Sequence, residues 1–63
     1  MATTTLLGVA EVATLLQVKP QTVSQWRHRN LFPDPDVTTA RADLWERSTV
    51  ERWARTTGRW PHD

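Results

Sequence analysis

The 63-residue sequence has no cysteine, no tyrosine and no isoleucine, a single phenylalanine and two glycines. Without cysteine there is no disulfide scaffold, no thiolate zinc site and no cysteine nucleophile. The two histidines, His28 and His62, lie far apart in the chain and make no metal site by themselves. With glycine this scarce there is no Gly-rich phosphate loop, and no apolar run approaches the roughly 20 residues of a membrane span. No secretory signal pattern is visible at the start, so a soluble, cytoplasmic chain with no membrane partner is expected. Ser24 and His28 stand four apart but have no acid to orient the ring, and no carboxylate pair shares an expected helix face. A chain this small buries only about 60% of its unfolded surface, which leaves little room for a core and a catalytic cleft together. Binding without a cofactor, rather than an enzymatic reaction, is the expectation.

The net charge is only +1, but it is unevenly spread. Residues 17–31 carry Lys19, Arg27, His28 and Arg29 with no acid, residues 34–46 carry Asp34, Asp36, Asp43 and Glu46 against Arg41, and residues 47–60 carry Arg47, Arg52, Arg55 and Arg59 against Glu51. Two basic segments therefore flank an acidic one. Ordinary solvated charge explains any single arginine; the acid-free stretch asks for more, because the pattern below makes much of it a helix.

Residues 1–5 show no periodicity and are expected to be loose. Val9, Val12, Ala13 and Leu16 follow the i, i+3, i+4, i+7 rule of an amphipathic helix. Gly8 serves as its N-cap, Glu11 forms half a capping box, and Leu7 is placed to staple onto Val12. Gln17-Val18-Lys19 breaks the pattern and Pro20 restarts it, since proline suits a first helical position and drives the preceding residue out of the α region. A second helix is expected from Pro20 to about Arg29, stopped at Asn30, with Leu31 and Phe32 returning to the core. Phe32 to Asp36 read as turns, and Val37–Thr39 and Ala42–Trp45 as two short strands with a mobile tip at Ala40-Arg41. Ser48-Thr49-Val50-Glu51 spells a complete capping box for a third helix that Gly58 ends. Trp26, Trp45 and Trp53 are expected in the core with Leu16, Leu31, Leu44 and the valines, while Trp60 either folds back on the third helix or stays exposed.

At 3.6 residues per turn, Val23 and Trp26 share the inner side of the second helix. Gln21, Ser24, Gln25 and His28 fall on the opposite side, with Thr22 and Arg29 on the flank. Such a face is found on any solvated helix. It is also what a major-groove reader requires: glutamine pairs with adenine, arginine or histidine reaches guanine or phosphate, and no carboxylate repels the backbone. Pro20 leaves the first amides of this helix free for a phosphate, with Lys19 beside them.

Residues 7–26, LGVAEVATLLQVKPQTVSQW, resemble the opening of MerR-like winged helix-turn-helix domains, and residues 45–53, WERSTVERW, resemble their last strand and third helix. The resemblance covers about residues 6–57 and implies one domain over 6–60, mainly α with a small β-hairpin, in the order helix, helix, hairpin, helix, with a tail at 61–63. Stand-alone chains of this size within the superfamily are similar to phage excisionases (recombination directionality factors) and to AlpA-type regulators. What that implies is a partner of double-stranded DNA, read by Gln21, Thr22, Gln25, His28 and Arg29 with Lys19 at the turn, a wing contact from Arg41 and a phosphate contact from Arg47. The sequence departs from the family in carrying Gln17 where glycine is common, Lys19 where serine or threonine is common, and a wing with Arg41 as its one base.

The resulting expectation is a sequence-specific DNA-binding accessory protein of the bacterial nucleoid. In this role copies sit side by side on attachment-site DNA, bend it and direct a tyrosine integrase toward excision. A promoter-bound AlpA-like regulator and an adaptor that binds protein but no DNA are the alternatives.

Overall fold

A computed structural model describes residues 6–62; the expected loose segment 1–5 lies outside them. The chain forms β1 (Leu6–Leu7), α1 (Val9–Leu16), α2 (Pro20–His28), β2 (Val37–Thr38), β3 (Asp43–Glu46) and α3 (Arg47–Thr56). Three helices thus pack with a small antiparallel sheet whose strand order is β1-β3-β2. Leu6 pairs with Glu46 and Leu7 with Trp45 on one side of β3, and Val37 pairs with Leu44 and Thr38 with Asp43 on the other. Side chains alternate along a strand. Trp45 therefore points into the core with Leu7, while Leu44 and Glu46 point outward with Leu6 and Val37.

The core consists of Val12, Ala13, Leu16, Val23, Phe32, Trp45, Val50 and Ala54. Its centre is aromatic. Phe32 lies edge-on to Trp45 at 5.2 Å and to Trp53 at 4.7 Å between ring centroids, and is stacked with Trp26 at 6.4 Å. The indole N–H of Trp53 donates to the Leu31 carbonyl and that of Trp45 to the Pro33 carbonyl, both at 2.9 Å. The carbonyls of the residues before and after Phe32 are thereby held, and two N–H donors that would be costly to leave unpaired are satisfied.

All three helices end alike. In each, a residue one or two past the last helical one has a positive φ: Gln17 (58°), directly after Leu16, and Asn30 (58°) and Gly58 (73°), two past the ends of α2 and α3. Each accompanies paired 6→1 and 5→2 hydrogen bonds: Val18 N–H to Ala13 and Gln17 N–H to Thr14, Leu31 to Trp26 and Asn30 to Arg27, Arg59 to Ala54 and Gly58 to Arg55. This left-handed closure turns the chain sharply and satisfies the last carbonyls. It makes a three-residue corner between α1 and α2.

Several expectations need correction. The strand Leu6–Leu7 was not expected, because two residues carry no alternation that could announce it. The third helix begins at Arg47, not after Ser48; Glu46 is its N-cap and no side chain caps it. The Ser48-to-Glu51 capping box therefore does not form, and Glu51 instead pairs with Arg55 at 2.9 Å. The cause is tertiary: the Glu46 amide donates to Asp36 at 2.8 Å, which fixes Glu46 in extended backbone and starts the helix directly at the end of β3. Leu31 is 50% exposed rather than in the core, since it follows the α2 closure with its carbonyl held by Trp53. Trp26 and Trp53 are half-buried against the core and Trp45 is the indole fully inside. Trp60 folds back onto the core. At the start of α1, Glu11 accepts from the Gly8 amide at 2.8 Å, the half capping box that glycine permits. Leu7 packs against the cluster containing Val12.

Three substitutions check this account. Gln17→Gly removes a Cβ from a left-handed position and should raise the unfolding free energy by about 0.5–1 kcal/mol. Ser48→Ala should change it by less than about 0.5 kcal/mol, where loss of a working N-cap would cost about 1 kcal/mol. Urea denaturation measures both, and a destabilised Ser48→Ala protein would restore the capping box. Phe32→Ala should cost about 3–5 kcal/mol, enough to leave a domain of this size largely unfolded in circular dichroism at room temperature.

Candidate nucleic-acid interface

Pro20 sets the first position of α2 and Lys19, in extended backbone, is its N-cap. Val23 is buried and Trp26 half-buried against the core, so the opposite side of the helix faces out. Gln21, Ser24, Gln25, His28 and Arg29 together line one shallow, open concavity along that side. All five come from one helix and its C-cap. The concavity is therefore open surface relief along one helix and not an enclosed cleft.

The other expected contacts distribute differently. Lys19 is exposed at the corner. Thr22 is half-buried, and its amide donates to the Lys19 carbonyl at 2.9 Å. That amide is thus not available to a phosphate, which narrows the expected seat at the helix start. Arg41 is exposed at the hairpin tip and Arg47 is exposed as the first residue of α3. They lie on elements other than α2, and the concavity does not include them.

The arginines fall into two groups. Arg27 lies over the Trp45 ring at 5.1 Å, Arg55 over Trp60 at 5.3 Å, and Arg59 over both Trp26 at 5.4 Å and Trp53 at 5.3 Å. Arg27 also pairs with Asp43 at 2.6 Å. These three cover indole faces, although Arg55 and Arg59 are themselves exposed. Arg29, Arg41, Arg47 and Arg52 are exposed, and among the described residues none of them, nor Lys19, pairs with an acid or an aromatic ring. Arg52 was not among the expected contacts; its place on the exposed side of α3 follows from the burial of Val50 and Ala54.

The hairpin tip is closed by a side chain. The Thr39 hydroxyl accepts from the Arg41 amide at 3.2 Å and the Ala42 amide at 3.0 Å and lies 2.9 Å from the Ala42 carbonyl, while the Thr39 amide donates to that same carbonyl at 2.9 Å. Threonine supplies here what Asn-Gly supplies in a tight hairpin. The signal was a β-branched hydroxyl residue placed just before Ala40-Arg41.

Among the described residues no group of three His, Cys, Asp or Glu side chains is placed to hold a metal ion, and no helix is long and apolar enough to cross a membrane. Comparisons with protein-family models, with curated proteins and with solved structures return no match. The chemistry of the surface therefore carries the reading.

The two groups of arginines should separate in a thermal melt. Arg59→Ala uncovers two indoles and should lose about 1 kcal/mol, about 4–8 °C in Tm for a domain this small. Arg29→Ala should leave Tm within about 2 °C of wild type, as expected for an exposed residue without a partner. A large drop for Arg29→Ala would show that it is structural.

Proposed function

We propose that this chain is a double-stranded DNA-binding accessory protein of the winged helix-turn-helix kind, with α1 and α2 as the helix-turn-helix and the β2–β3 hairpin as the wing. The observation that carries the reading is the outer side of α2. Gln21, Ser24, Gln25, His28 and Arg29 stand together on it without a single acid, directly after a three-residue corner. Such a side fits the major groove, where glutamine offers adenine two hydrogen bonds and arginine offers guanine two. Lys19 at the start of the helix, and Arg41 and Arg47 outside it, are the phosphate contacts in this reading.

The role proposed is that of an excisionase. A single module of this kind covers roughly 600–1,000 Å² of protein surface on DNA, so several copies on adjacent sites supply affinity, bend attachment-site DNA and present it to a tyrosine integrase. The acids Asp36 and Glu46 lie at one end of the sheet, near the outward-facing Leu6, Leu44 and Val37, which suits a protein neighbour better than a phosphate backbone. An AlpA-like promoter regulator would use the same side of α2. Dependence on integrase separates the two: added protein should stimulate excision in a purified reaction, and an integrase indifferent to it would favour the regulator.

Binding itself is tested by fluorescence anisotropy on a duplex selected from a randomised pool. With Lys19, Arg41 and Arg47 as its phosphate contacts, log K should fall with log salt at a slope of about −2.7. Gln25→Ala should lose about 1–3 kcal/mol on the selected site and little on other duplexes, whereas Lys19→Ala should weaken binding to all of them and reduce the slope by about 1. A wild-type chain that selects no duplex at low salt would leave the protein-adaptor reading in place of this one.

A further inference from the structure

The hairpin tip and α2 are tied together by one polar link. Arg27 extends from α2 across the face of Trp45 and meets Asp43, with its side chain 36% exposed and that of Asp43 25% exposed. Asp43 opens β3 and stands in register with Thr38 on β2. No other ion pair or side-chain hydrogen bond joins α2 to residues 37–46 among the described residues. The next residue after Thr38 is Thr39, whose hydroxyl closes the tip around Arg41. From α2 to Arg41 the path thus runs through a charged pair resting on a buried indole, a register pair and a hydrogen-bonded turn.

We infer that Arg27, Asp43 and Thr39 are positioning residues: they fix Arg41 at a set distance from the outer side of α2, so that helix and hairpin meet a nucleic-acid duplex as one rigid unit. The inference rests on the DNA-binding reading above and adds residues that touch no DNA themselves. A rigid spacing matters because a contact that must be ordered on binding loses part of its worth to the ordering. Arginine suits the α2 end of the link because its planar guanidinium stacks on an aromatic face and hydrogen-bonds a carboxylate at the same time.

The sign of one effect makes the inference testable. Asp43→Asn removes an acid and frees Arg27, so electrostatics alone would tighten DNA binding and steepen its salt dependence. Positioning requires the reverse. On the selected duplex, Arg41→Ala should bind severalfold more weakly than wild type, with a salt slope smaller by about 1. Asp43→Asn should also bind severalfold more weakly and lose the same share of slope, although the protein has gained positive charge. The double variant Asp43→Asn/Arg41→Ala should be no weaker than Asp43→Asn alone.

Thr39→Val keeps the shape of the side chain, removes the hydroxyl and leaves the core untouched. It should reproduce the Asp43→Asn result, and it decides the matter if the Asp43→Asn protein does not melt cooperatively. Asp43→Asn or Thr39→Val binding as tightly as wild type, with Arg41→Ala still costing its full share in that background, would overturn the inference while leaving DNA binding in place. Arg41→Ala binding like wild type would overturn it as well. Absence of duplex binding by the wild-type chain would remove the reading on which it rests.

Discussion

Phe32 is the one phenylalanine of the chain, and three indoles from three different elements converge on it. Trp26 comes from α2, Trp45 from β3 and Trp53 from α3. Each aromatic pair adds about 0.5–1.5 kcal/mol beyond area burial. The hydrogen bonds from Trp45 and Trp53 to the carbonyls on either side of Phe32 keep the ring from withdrawing. In a chain with no disulfide and no metal cluster among its described residues, this is the staple that small domains otherwise obtain covalently. Because α2 turns Trp26 and Val23 toward that centre, its opposite side is turned out.

The same aromatic centre decides which cations are free. Arg27 and Arg59 lie on its indoles and Arg55 on Trp60, where they cover apolar surface that would otherwise face water. Arg29, Arg41, Arg47, Arg52 and Lys19 remain exposed. A net charge of +1 thus conceals a division of labour: some arginines cover the indoles and the rest stand clear of them, with Asp36 held by the Glu46 amide and Asp43 by Arg27. Composition alone says little about a polyanion partner for this chain; the sorting of its arginines says much more.

What could be read in the sequence was local. Pro20 announced α2, the Val9-to-Leu16 spacing announced α1, and Gly58 announced the end of α3, because each acts through backbone geometry or helical periodicity within a few residues. The outer residues of α2 followed from the same periodicity: Gln21, Ser24, Gln25 and His28 lie together as expected, joined by Arg29, which was expected on the flank. What escaped was set by distant partners. Leu6–Leu7 becomes a strand only because Trp45 and Glu46 are there to pair with. The capping box at Ser48 lost to an extended Glu46 held by Asp36, ten residues away. Gln17 and Asn30 adopt left-handed backbone although neither is glycine, which only the closure hydrogen bonds reveal. Arg27 looked like one more basic residue of the second helix until its stacking on Trp45 was seen.

The central claim is that the outer side of α2 is the surface that meets a duplex. Amide chemical-shift mapping by NMR, with the selected duplex added to the labelled chain, tests it directly. The account predicts the largest shifts at Gln21, Ser24, Gln25, His28 and Arg29, a second set around Arg41, and unchanged signals at Leu6, Val37 and Leu44. Shifts confined to the outward sheet face, with the amides of α2 unmoved, would contradict it.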